Sequence, residues 1–70
     1  MTRDEWIDMF SREIGVQAPS DDEVESLLAL AGVAAHASER TAAPLSCWLA
    51  ALAGRSPGEA LAVAKRLAGD

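Results

Sequence analysis

The sequence predicts an all-α fold, a compact bundle of four short helices. Apolar residues recur at i, i+3, i+4 and i+7 through most of the chain, and no segment alternates apolar and polar as a half-buried strand would. Capping signals open segments, and glycines close them. The 70 residues form one predicted helical domain, 1–70, without repeat, low-complexity tract or linker.

Three helix starts share one pattern, in which a Ser or Thr accepts from a first-turn N–H and a Glu three residues on reaches back. Thr2-Arg3-Asp4-Glu5, Ser20-Asp21-Asp22-Glu23 and Ser56-Pro57-Gly58-Glu59 fit it. Pro57 takes the first helical position, where its missing N–H costs nothing. The fourth start is Pro44, after Thr41-Ala42-Ala43. Gly15, Gly54 and Gly69 mark the ends of helices 1, 3 and 4. Helix 2 lacks a glycine stop and should fray near Glu39-Arg40, because Pro44 cannot continue it and disfavours a helical Ala43. The predicted spans are about 3–14, 21–39, 44–53 and 57–68.

Each helix shows a candidate core face. Helix 1 aligns Trp6, Phe10 and Ile14, flanked by Ile7 and Met9; helix 3 aligns Leu45, Trp48, Leu49 and Leu52; helix 4 aligns Ala60, Val63, Ala64 and Leu67. Helix 2 aligns Val24, Leu27, Leu28, Ala31, Ala34 and Ala35, and carries a second stripe of Leu30, Val33 and Ala37. A helix apolar all round is usually central and buried; the functional reading of the second stripe is an exposed surface that docks a partner.

Half of the residues are hydrophobic, but 15 are alanine, so the core is thin. One Cys excludes an internal disulfide framework. No run approaches the ~20 apolar residues that span a bilayer, and the acidic N-terminus does not read as a signal peptide. These points predict a cytoplasmic protein. The net charge of −5 argues against non-specific nucleic-acid binding. Residues 1–39 carry −7 and residues 40–70 carry +2. Acids in the first turns and Lys65 and Arg66 in a last turn complement the helix dipoles, which accounts for much of that asymmetry.

The inventory for catalysis is poor: one His, one Cys and no Tyr. His36 and Cys47 fall on different helices, and Cys47 points away from the Leu45/Trp48 face, so a Cys–His nucleophile pair is not expected. No zinc, calcium or phosphate-loop spacing is present, which predicts no cofactor and no metal site. One corner is chemically denser. His36, Glu39 and Arg40 share a face of late helix 2, Gly32 leaves space beside His36, and Thr41 to Pro44 then open helix 3 with Ser46 in its first turn. A helix N-terminus beside an Arg suits a carboxylate, a phosphate or a docked protein. Alternatively Arg40 suits a helix end, Glu39 pairs with it, and His36 is a solvated flank residue.

The stretch from Val33 to Leu49 resembles the DUF6457 family, whose recurrent core reads V-A-H-x-x-E-R-P-A-A-P-L-T-T-F-L. His36, Glu39, Arg40, Ala42, Ala43, Pro44, Leu45 and Leu49 match it. Thr41 replaces a proline, Ser46 and Cys47 replace threonines, and Trp48 replaces phenylalanine. Trp6 and Glu13-Ile14-Gly15-Val16 are similar to the family's opening. Members are small, mostly actinobacterial helical proteins of unknown biochemical activity, alone or appended to nucleotidyltransferases of the molybdenum-cofactor guanylyltransferase type, often near formate dehydrogenase accessory genes. The resemblance implies an accessory role in molybdenum-cofactor or formate dehydrogenase biology and no catalytic residue. It also adds weight to the corner, since His36, Glu39, Arg40 and Pro44 fall on the family pattern.

The expectation is therefore a small non-catalytic accessory or protein-interaction domain. Its partner would be a molybdoenzyme, a maturation factor or a nucleotidyltransferase, docked through Leu30, Val33, His36, Glu39, Arg40, Thr41, Pro44 and Ser46. One alternative is a phosphate or carboxylate site at the Arg40 corner. Another is a carrier protein, since Glu25-Ser26-Leu27 faintly resembles the Asp-Ser-Leu attachment motif of acyl carrier proteins. A homodimer is compatible with a small Ala-rich core and an exposed Leu30/Val33 stripe.

Overall fold

A computed structural model describes residues 1–69 as four α-helices: α1 (Arg3–Ile14), α2 (Asp21–Ala37), α3 (Ala42–Leu52) and α4 (Pro57–Ala68). Among the described residues there is no strand. All three capping boxes form. Thr2, Ser20 and Ser56 hydroxyls accept from the N–H groups of Glu5, Glu23 and Glu59 at 3.1–3.2 Å, and each Glu carboxylate accepts from the cap N–H at 2.8–2.9 Å. Gly15 closes α1 at φ 82°, a left-handed conformation that a side chain would strain.

The junction between α2 and α3 departs from expectation on both sides. α2 stops at Ala37 because Ser38 turns out of the helix (φ −137°, ψ −94°) and its hydroxyl donates back to the Ala34 carbonyl at 3.0 Å. α3 starts two residues before Pro44, with Ala43 helical. Pro44 sits in the first turn, where helical N–H groups lack intrahelical partners, so its ring removes no hydrogen bond.

α2 is the central helix. It packs most extensively on α4 and next on α3, whereas α3 and α4 touch only briefly. Leu30, at 3% exposure, is the centre of the core, and Ala60 of α4 is buried with it. The second stripe of α2 is thus inward at Leu30 and half-buried at Val33. This corrects the exposed-stripe reading for Leu30: it faces the α3–α4 side and is covered by the chain's own helices.

The candidate core faces of α1 and α3 are reversed. α3 turns its small residues Ala43, Ser46, Cys47 and Ala50 inward, each half-buried, while Leu45, Trp48, Leu49 and Leu52 face solvent, Trp48 at 64% exposure. Small side chains let the backbones of α2 and α3 approach, as the Cys47 thiol shows by reaching the Leu27 carbonyl at 4.0 Å. α1 buries Ser11 and half-buries Ile7, which lines a groove with Ala18, Pro19 and the first turns of α2. Its Trp6, Met9, Phe10 and Ile14 point outward, with the Trp6 and Phe10 rings stacked at 5.8 Å. Among the described residues, no Cα of α1 comes within 8 Å of a Cα in another helix. On α4, Val63 and Ala64 are half-buried as expected, but Leu67 is exposed.

Candidate functional site

Late α2 and the turn into α3 form an open corner. His36, Glu39, Arg40, Thr41 and Pro44 are exposed; Val33 and Ser46 are half-buried. Gly32 has open space where a Cβ would sit, as its place beside His36 predicted. Ala29, Gly32, Val33, His36 and Ala37, with Ala68 from the end of α4, line a shallow groove of about 390 Å³. Two of the predicted site residues, Val33 and His36, therefore line this groove, Arg40 lies past the end of α2 and does not, and Leu30 is buried.

The charged groups of the corner are uncommitted. Among the described residues the one ion pair joins Arg3 to Asp4 at 2.9 Å, so the expected pairing of Glu39 with Arg40 does not form. The N-terminus of α3 offers less to an anion than its position suggested. Thr41 makes no side-chain cap, yet the Ala42 and Ala43 N–H groups donate to the Glu39 and Arg40 carbonyls at 2.9 and 3.1 Å, and Pro44 has no N–H. The turn itself uses the donors that would cradle a phosphate or carboxylate.

The other candidate chemistry does not assemble. Cys47 is half-buried with its thiol directed at the Leu27 carbonyl, His36 is exposed near the end of α2, and no hydrogen bond joins the two. Ser26, the carrier-type attachment candidate, is half-buried in the second turn of α2, where a prosthetic arm has poor access. Among the described residues, no three His, Cys, Asp or Glu side chains gather as a metal site, and no helix is long and apolar enough to cross a membrane.

Two titratable groups are perturbed, and both serve the fold. The Thr2 backbone N–H, and after it the Thr2 hydroxyl, hold the Glu5 carboxyl below its ordinary value. Ser56 does the same for Glu59.

Sequence reasoning missed the largest surface feature, the outward apolar faces of α1 and α3. Between α3 and α4 a second groove of about 370 Å³ opens above Leu30, walled by Leu49, Ala50, Val63 and Leu67, with Arg55 at its edge. The available signal was in the opposite face of each helix. α3 has no charge on any side, and α1 sets Ser11 one turn after Ile7, so either face could pack inward.

Fold and surface together define a small all-α domain with open grooves and two apolar faces turned to solvent. The chain belongs to the family described as a domain of unknown function, DUF6457, whose model matches residues 1–70, the whole chain. No curated protein and no solved structure matches it.

Proposed function

We propose that this domain is a non-catalytic accessory module of the cytoplasm that docks a protein partner through late α2 and the α2–α3 turn. The observation that carries the reading is the corner itself. His36, Glu39, Arg40 and Thr41 are exposed, no ion pair holds Glu39 or Arg40 among the described residues, and His36 lines a groove together with Gly32 and Val33. Charged groups beside a groove of mixed polar and apolar lining suit the polar rim of a protein contact. The phosphate or carboxylate reading is weaker, because the α3 N–H groups are already bonded within the turn.

The family resemblance extends this proposal to molybdenum-cofactor or formate dehydrogenase biology, with a molybdoenzyme, its maturation factor or a nucleotidyltransferase as partner. An affinity capture from the native host, run in parallel with Arg40→Glu, tests it. The reading expects one of those three partners with the unmodified chain and its loss with the variant. Recovery of none, or equal recovery with Arg40→Glu, would remove the reading.

A further inference from the structure

The chain exposes far more surface than its mass requires. Its accessible area is 5430 Å² at 7.3 kDa. A compact monomer of that mass exposes about 4,200 Å², so roughly 1,200 Å² is in excess. The radius of gyration, 12.5 Å, likewise exceeds the ~11 Å of a compact chain of this length. Most of the exposed large apolar side chains cluster on two helices: Trp6, Met9, Phe10 and Ile14 on α1, and Leu45, Trp48, Leu49 and Leu52 on α3.

We propose that the occupant of these faces is a second copy of this chain, in a closed twofold dimer. The α1 face of each copy covers the α3 face and the adjoining α3–α4 groove of the other. Area is the first argument. Two chains become as compact as a particle of their joint mass if about 2,000 Å² per chain is buried, which falls among obligate dimers. Neither face supplies that area alone, whereas the crossed arrangement covers both at once.

Charge selects the crossed pairing over α1 against α1. α1 carries Asp4, Glu5, Asp8 and Glu13 against Arg3 and Arg12, so two copies of it would oppose like charge. α3 has no charged residue; Arg40, next to Glu39, and Arg55, near Glu59, flank it, neither is in an ion pair among the described residues, and Arg55 lines the groove. An acidic-rimmed apolar helix thus meets an apolar helix between two cations. Lengths agree as well: 12 residues in α1 and 11 in α3 give segments of roughly 18 and 16 Å. The stacked Trp6 and Phe10 rings supply the bulky anchor, and the groove between Leu49 and Leu67 receives it.

The dimer shares Arg40 and Ser46 with the partner-docking corner, and its test does not involve that partner. Sedimentation of the full chain is expected to give twice the monomer mass at micromolar concentration. Phe10→Lys and Leu49→Asp change side chains that are 49% and 60% exposed in the monomer, so each variant is expected to keep its helical circular dichroism and to sediment as a monomer. Mixed together, they regain the dimer, because one crossed contact is then wild type and the other joins Lys to Asp. Pairing of α1 with α1 and α3 with α3 predicts no recovery on mixing, and that result would overturn the crossed dimer. A monomeric wild-type chain, whether free or adsorbed to anionic vesicles, or an open-ended polymer would overturn it too. A readout on the unmodified chain stands apart from the variants: Trp6 and Trp48, the only two tryptophans, both lie in the interface. Dilution should therefore shift their emission to the red, and unchanged emission counts against the proposal.

Discussion

The α2–α4 pair and the outer faces of α1 and α3 use apolar residues in opposite ways. Where α2 meets α4 the side chains are small or medium (Ala60, Val63 and Ala64, around Leu30), and the helices approach closely. On α1 and α3 the largest side chains of the chain, Trp6, Phe10 and Trp48, stand in solvent while Ser11, Ser46, Cys47 and Ala50 turn inward. The difference teaches that size, more than hydrophobicity, separates the inside of this chain from its contact surface. Small residues bring α2, α3 and α4 together, and the large ones of α1 and α3 stand outward.

Substitutions can break or sharpen that contrast. Leu30→Ala empties the one buried large apolar position among the described residues and should cost about 2–5 kcal/mol, read as a fall in the denaturation midpoint; in so small a domain this can unfold the chain. Ala60→Leu overfills the α2–α4 contact and should cost about 1–3 kcal/mol, whereas Ala51→Leu on the exposed side of α3 should change stability little. Ser20→Ala removes the cap of the central helix, for a loss of roughly 0.5–2 kcal/mol by urea titration.

Acid should act through the caps. Glu5 and Glu59 are held below their ordinary value of 4.5 in the folded chain, so the unfolded chain binds protons first as the pH falls. Their contribution is present above that value and is lost as the pH drops through the lowered one. The melting temperature should decline over that acid range, and Glu5→Gln with Glu59→Gln should flatten the decline. The smallest effect is expected at Arg40→Ala, within about 0.5 kcal/mol of wild type, because Arg40 has no ion pair to lose.

The sequence displays the helices plainly and their orientation poorly. Capping boxes and terminal glycines are local chemistry, so α1 and α4 fall on the predicted residues and α2 starts where Ser20 places it. The α2–α3 junction shifted because Ser38 bonds Ala34 and because Pro44 is harmless in a first turn. Orientation is a tertiary property. For α3, Leu45, Trp48, Leu49 and Leu52 have the periodicity of a core face, but only small residues fit the close α2 contact. Periodicity reports that a face will be covered and does not say by what. At the candidate site, the exposure of His36 and the gap at Gly32 followed from helical spacing; Arg40 falls outside α2, so the expected shared face with His36 does not form, and the burial of Leu30 required knowing which stripe of α2 meets α4.

The central claim is that the outward faces of α1 and α3 belong to an assembly. Thermal unfolding measured across about a hundredfold range of protein concentration tests it most directly, since association with the native state raises apparent stability by mass action. The account predicts a melting temperature that climbs with concentration. A melting temperature that stays constant over the whole range would contradict it.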